Sequence, residues 1–410
     1  MPFRFLRLVP AFALLAAAFL QTAAADEPDF SSVPGVVIAH SPQSTGVFVG
    51  SPSITSVGEG IYLATHDEFG PNSSESSVAV THLYRSEDAG RNWRRVHTFQ
   101  GLFWASLFTH RDAVYLLGTD RHHGNVVIRR SIDGGDNWTT PTDETSGLLL
   151  EGAYHTAPVP IVVHQGRIWR AVEDASNGTR WGERYSAMIM SAPVEADLLR
   201  RESWTTSNRI KRDASWLGGD FGAWLEGNAV VTPEGGIANV LRVHIRRGGV
   251  AALVRVNADG TQCTFDPEQD FIAFPGGAKK FTIRYDEKTQ CYWSLVNYVP
   301  DMHRHPTSNA ANIRNTLALV RSPDLRQWDV RCIVLYHRNV SGHAFQYVDW
   351  QFEDDDIIAV SRTAHEDGMG GARRAHDANF LTFHRIRNFR DLTMSDSVPA
   401  FVRQQETAQP

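Results

Sequence analysis

The sequence predicts an all-β chain folded as a six-bladed β-propeller, and three observations carry that expectation. One octet is written twice, SEDAGRNW at 86–93 and SIDGGDNW at 131–138, each time between two strand-like runs. Weaker copies follow at intervals of blade size. Aromatic residues are plentiful, with 11 Trp and 21 Phe, while clean helical periodicity is scarce, as suits sheets packed face to face.

The octet Ser-x-Asp-x-Gly-x-x-Trp describes a self-contained turn. Its Asp can bond its own backbone, its Gly supplies a positive φ, and its Trp folds back beneath the turn. HLYR precedes the first copy and VVIRR the second, so each joins two strands of a hairpin. SPDLRQW at 322–328 keeps Ser322, Asp324 and Trp328 but lacks the Gly. Between them, 190–204 carries Asp197 and Trp204, 254–262 carries Asp259 and Gly260, and FHRIRNFRDL at 383–392 ends the series. Counted from Ser86, the intervals are about 45, 60, 66, 65 and 62 residues. A four-stranded blade with its loops needs that much chain, and six blades fit best.

Residues 1–25 have the layout of a secretory signal peptide: Arg4 and Arg7, an apolar run over 8–20, then Ala23-Ala24-Ala25 before Asp26. A secreted or periplasmic protein is expected, with one propeller domain over 33–403 and no later segment long and apolar enough to span a membrane. Cys263, Cys291 and Cys332 are an odd set, so at most one disulfide can form. The net charge of −6, without a basic stripe, argues against nucleic acid. No His or carboxylate group shows diagnostic ligand spacing, so no metal and no cofactor is assigned.

The chemistry concentrates in a few stretches. In WLEGNAVVTPEGGIANVLRVH (224–244), Glu226 opens a strand, PEGG turns the chain at 233–236, and Arg242 lies near the end of the returning strand. That hairpin brings Glu226 and Arg242 to one mouth of the propeller. Arg314 stands just ahead of another apolar strand, and Tyr347 follows in AFQYVDWQF (344–352). Arg forks bind carboxylates bidentately. Histidines add proton-transfer groups that work near neutral pH. His66 precedes Asp67, the pair His122-His123 precedes the second octet, and 154–174 carries His155, Arg167, Arg170 and Glu173.

The strict octet resembles the Asp box, or bacterial neuraminidase repeat, of sialidase-like β-propellers, a mark of the fold that does no chemistry. Glu226, Arg242, Arg314 and Tyr347 stand in the order in which sialidases carry a Glu, two Arg of a carboxylate-binding triad and a nucleophilic Tyr paired with that Glu. The resemblance departs at VFVGSPSI (47–54), where Gly50 occupies the place of the first Arg. Asp67, Glu68 and Glu75 are then the candidates for the acid/base carboxylate. HSPQSTGVFVGSPSI, YHTAPVP and HDANF together resemble the propeller enzymes of polysaccharide lyase families 24 and 25 and glycoside hydrolase family 145. That resemblance implies action on glycans containing uronic acid, with His handling the proton. In the hydrolase family a His near the N-terminus acts on the opposite face; His40 is the nearest candidate here, with Gln43 as its competitor.

The expectation is therefore a secreted enzyme that cleaves a glycosidic bond beside an acidic sugar, by hydrolysis or β-elimination. His155, Glu226 and Tyr347 are the expected catalytic residues, with Arg242, Arg314, His123 and Asp67 binding the substrate, an acidic oligo- or polysaccharide. The alternatives are an exo-sialidase using Tyr347 as nucleophile and a propeller that binds glycan without cleaving it. Propeller geometry predicts that His155, Glu226, Arg242, Arg314 and Tyr347 converge on one mouth.

Overall fold

A computed structural model of the chain describes residue 1 and residues 28–408. Apart from Met1, the expected signal peptide over 1–25 lies outside the described residues.

Six antiparallel sheets form a ring of blades. From inside outward, blade 1 comprises Ser53–Gly58, Ile61–Phe69, Val80–Ser86 and Arg94–Gln100, and blade 2 Phe103–His110, Ala113–Thr119, Val126–Ser131 and Leu148–Leu150. Blade 3 begins with Tyr154–His155 and Val162–His164, followed by Arg167–Asp174, Ser186–Pro193 and Thr205–Thr206. Blade 4 comprises Ala223–Val231, Ile237–His244 and Val250–Val256, edged by Cys263–Thr264 and Phe271–Ala273. Blade 5 comprises Thr282–Asp286, Cys291–Asn297, Thr316–Ser322 and Asp329–Tyr336. Blade 6 takes Ala344–Glu353, Asp356–Ala364 and Phe380–Ile386 from the end of the chain and Val36–His40 from its beginning. The ring closes through that last pairing, Val36 opposite Phe383 and His40 opposite Phe380.

The inner strands are apolar on both faces because each blade is covered by two neighbours. Ala223–Val231 is buried at every residue but the last. Among the described residues the core is accordingly six large clusters, one between each pair of adjacent blades, with three smaller ones besides. Trp169 and Trp224 meet in one such cluster and Trp293 and Trp350 in another, all four buried. Truncating any one would cost roughly 3–5 kcal/mol.

The two octets fold as their residues predict, at the outer hairpins of blades 1 and 2. Ser86 Oγ donates to Asp88 and accepts from Gly90 N, and Trp93 Nε1 donates back to Gly90 O at 3.0 Å. Ser131, Asp133, Gly135 and Trp138 repeat the same bonds. In the decayed copy Leu325 takes the place of Gly, at φ 66°, and Trp328 Nε1 donates to its carbonyl at 2.9 Å. All three lie at the end of the ring where the third strands finish.

At the other end the inner strands of alternate blades carry the same bulge. The register shifts between Phe103 and Ser106, between Leu225 and Asn228, and between Gln346 and Asp349. The residue inside each shift has a positive φ: Trp104 at 53°, Glu226 at 51° and Tyr347 at 54°. Such a backbone costs about 1–2 kcal/mol per non-glycine residue. Two residues on, a buried polar side chain ties each bulge to the next blade. Ser106 Oγ donates to Val159 O at 2.7 Å, Asn228 Oδ1 accepts from Ile283 N at 2.9 Å, and Asp349 Oδ2 accepts from Ser53 Oγ at 2.7 Å.

Cys263, Cys291 and Cys332 are all free thiols. One helix, Pro399–Ala408, follows blade 6 and packs Phe401 against Tyr336, an element that the scarce helical periodicity did not predict. Among the described residues no helix is long and apolar enough to cross a membrane.

Candidate active site

The three bulges aim Trp104, Glu226 and Tyr347 into one cavity of about 370 Å³ at the mouth of the ring. Second strands bring the cations. Arg242 pairs opposite Leu225 in blade 4, and Arg362 pairs opposite Gln346 in blade 6, each beside the residue that precedes a bulge. Arg314 comes from the segment just ahead of Thr316–Ser322. His155, Glu226, Arg242, Arg314 and Tyr347 therefore share one wall, as propeller geometry requires.

Glu226 is the hub. Its Oε1 accepts from the Tyr347 hydroxyl at 2.8 Å and its Oε2 from Arg242 Nη1 at 2.8 Å. Burial opposes its ionisation, but Arg242 and His155 outweigh burial and hold its carboxyl below the usual range. Burial, reinforced by Glu226, pushes the Tyr347 hydroxyl up. Two guanidiniums lie over the Tyr347 ring, Arg362 at 5.2 Å and Arg314 at 5.8 Å from its centre. Arg314 is engaged by Gln346 Oε1 and Ala311 O, and burial lowers its pKa to about 10. Arg242 Nε and Arg362 Nε are buried without a hydrogen-bond partner among the described residues. Such donors are costly to leave unpaired and fit an anionic group entering the cavity.

His155 forms a second unit. Its Nδ1 is 2.8 Å from Glu173 Oε2, and Glu173, fully buried, also accepts from Gly227 N at 3.0 Å. Glu173 thus ties blade 3 to the blade 4 bulge and sets the histidine's tautomer, leaving Nε2 for the cavity. The His155 ring lies 4.6 Å from both Trp104 and Tyr185. His122 and His376 also line the wall, burial lowering their pKa values to about 4 and about 3. At the rim Trp181 is 53 % exposed and meets His244 edge-on at 4.9 Å, a face on which a sugar ring can stack.

Two expected binding residues stand behind this wall. His123 is held by Glu75 Oε1 at 2.7 Å and Tyr185 Oη at 2.9 Å, and its neighbour His122 is the one that faces the cavity. The chain turns by one residue there, with His123 at φ 52°. Asp67 is 1 % exposed, and its Oδ2 accepts from the amide of Trp104 at 3.0 Å, so it braces a bulge and does not line the cavity. The hydroxyl of Thr81 is 2.8 Å from Asp67 Oδ1 and 2.6 Å from Leu102 O. That hydroxyl has one hydrogen, so both contacts are hydrogen bonds only when Asp67 carries a proton. Burial indeed raises the Asp67 pKa to about 7.

Gly50 could not carry an arginine: a Cβ there would lie 2.6 Å from Asp67 O. Arg362 supplies a third guanidinium from a different blade. The sequence reading missed it, although its register beside a bulge repeats that of Arg242. His40 is not on the opposite face. It ends the closing strand on the cavity side, at the outer edge, where its Nε2 is 2.9 Å from Asp367 and its ring stacks on Phe380.

No family model matches the chain, and no curated protein sequence matches it. Solved structures do. The Hadza microbial sialidase Hz136 superposes with a TM-score of 0.58 at 12 % identity over 86 % of this chain and 68 % of that one. Trypanosoma rangeli sialidase in complex with the inhibitor DANA gives 0.55 at 15 % identity over 90 % of this chain, which spans 58 % of that protein. An α-L-arabinofuranosidase from Fusarium graminearum in complex with an iminosugar inhibitor gives 0.54 at 11 % identity over 86 % of this chain and 96 % of that one. The fold is a sialidase-like six-bladed propeller. These neighbours are two sialidases and an arabinofuranosidase; at such identities the likeness is one of fold alone.

Proposed function

We propose that the chain hydrolyses the glycosidic bond of a carboxylate-bearing sugar in the central cavity. Tyr347 Oη attacks the anomeric carbon while Glu226 takes its proton, and His155 Nε2 protonates the departing oxygen. Water, deprotonated by the same nitrogen, then displaces Tyr347 Oη from the anomeric carbon, and Glu226 gives its proton back to that oxygen. Arg242, Arg314 and Arg362 hold the substrate carboxylate. One observation carries the reading: Glu226 joins Tyr347 and Arg242 at 2.8 Å each, within a cavity whose other two guanidiniums flank the same tyrosine. Sialic acid and uronic acids both carry the carboxylate this site calls for. The signal peptide expected over 1–25 would take the enzyme to glycans outside the cytoplasm.

The test is a panel of fluorogenic sialosides, glucuronides and uronic-acid polysaccharides, assayed with the wild type and Tyr347→Phe. Release of leaving group or reducing ends that falls on the order of 10³-fold in Tyr347→Phe supports the reading. Glycan binding that survives joint substitution of His155, Glu226 and Tyr347, with no turnover, would make the propeller a binding module.

The His155–Glu173 pair favours a second reading, β-elimination. Three guanidiniums would neutralise a uronate carboxylate and acidify the hydrogen at C5; His155 would remove it as the C4–O bond breaks, and the Tyr347 hydroxyl would protonate the departing oxygen. An unsaturated product absorbing near about 230 nm separates this from hydrolysis.

A further inference from the structure

A second cavity, of about 680 Å³, opens beside the first and is basic, although the chain as a whole carries a net charge of −6. Arg246, Arg247, Lys279 and Arg304 line it against a single carboxylate, Asp220. Only one thickness of backbone separates the two cavities. Along the segment that enters blade 5, Asn309, Ala311, Asn312 and Arg314 face the central cavity, while Ser308, Ala310 and Ile313 face the basic one.

That partition is built into the fold. Ala310 N donates to Arg246 O at 2.9 Å, and Lys279 Nζ donates to Ala310 O at 3.0 Å, so the wall is clamped from both sides. Gly248 is needed at φ 67°, since a Cβ there would sit 2.7 Å from that of Ala310. The cations themselves are under-used. Lys279 is 1 % exposed, yet among the described residues no carboxylate lies within ion-pairing distance of it. Burial and the nearby Arg314 and Arg242 weaken its ammonium form, a cost that a bound anion would offset. Arg247 is exposed and has no protein partner among the described residues. Among the described residues Arg304 is tied to Val299 O and to Asp301, which is 93 % exposed on its side chain.

We propose that this cavity is a second subsite, which binds the carboxylate or sulfate ester of a neighbouring sugar while the sugar to be cleaved occupies the central cavity. The proposal rests on the acidic-glycan reading of that central cavity. It assigns the chain an acidic oligosaccharide as ligand, not an isolated acidic monosaccharide. A chain leaving the central cavity past Asn309 meets Arg247 and Lys279 next, and the potential of those groups favours an anion at that unit.

The experiment is calorimetry at low salt with oligogalacturonates and chondroitin sulfate oligosaccharides of two and six units, on Glu226→Gln protein so that nothing is turned over. Arg247→Glu and, separately, Lys279→Met are placed in that background. Tighter binding of the six-unit over the two-unit ligand, reduced at least about 10-fold in Arg247→Glu, is the expected result. Length-dependent binding of the oligogalacturonates assigns a carboxylate to the subsite, and length-dependent binding of the chondroitin sulfate set alone assigns a sulfate ester. Equal affinity for both lengths, or a length effect that neither substitution changes, overturns the subsite. The readouts are independent of catalysis. Length-dependent binding through Arg247 without cleavage by the wild type would sink the enzyme reading and keep the subsite. Cleavage of short glycosides without length dependence would do the reverse.

Discussion

The two ends of the ring spend their aspartates in opposite ways. At the octet end Asp88 lies at the surface and is satisfied within its own loop, by Asn92, Arg91 N and Ser86, which lowers its pKa to about 2. At the cavity end Asp67 is sealed under the bulge of the next blade, and burial raises its pKa to about 7. A turn satisfied by its own neighbours stabilises whatever blade it caps and constrains nothing else. A buried carboxylate that holds another blade's amide makes the site depend on the whole ring. Local self-sufficiency and dependence on the whole ring are therefore kept on separate ends.

The sharpest break in that separation comes from the cavity end. Tyr347→Phe should lower kcat on the order of 10³-fold against the best acidic glycoside, while the unfolding midpoint stays within a few degrees. A loss of stability as large as the loss of activity would show that the hub is structural. Next is the pH dependence. A carboxyl whose folded pKa is raised lends stability that is fully present below its unfolded value near 3.8 and is lost as pH rises through about 7. Denaturation of wild type against Asp67→Asn should expose a difference of about 4 kcal/mol developing between those values. Asp88, lowered, runs the other way: its contribution is present above pH 3.8 and disappears as pH falls toward 2. Asp88→Asn should therefore flatten only the acid limb of the stability profile. Smaller is Gly50→Ala, which should cost about 1–3 kcal/mol by pressing on Asp67 O and should disturb activity with it. Smallest is Asp133→Ala in the second octet, a slight fall in the urea midpoint with kcat/KM unchanged.

The same contrast explains what the sequence discloses. The octets are legible because every bond in them is local, so eight residues contain the whole reason for the turn. Leu325 shows how far that goes: the glycine is gone and one residue deleted, yet the Trp still finds the carbonyl three residues back. The pairing of Glu226 with Arg242 is legible too, because one hairpin joins them. Arg362 is joined to Tyr347 by one hairpin in the same way, but nothing in the sequence marks the bulge that turns the two toward the cavity. The choice of His122 over His123 is equally hidden, because it depends on one left-handed backbone residue. Trp104 escaped notice for a related reason: without the bulge, a tryptophan in an apolar strand is an ordinary core residue.

The strand Val36–His40 completes the sheet that holds Tyr347 and Arg362. Chain emerging early must wait for nearly all the rest before it finds its partner, Phe380–Ile386, so the contact with the longest loop forms late. Blades 1 to 5 could be assembled with Glu226 and Arg242 already in place, and Tyr347 would still be missing. Tyr347 meets Glu226 through the same event that locks the ring, so under the proposed mechanism an unfinished molecule is inactive.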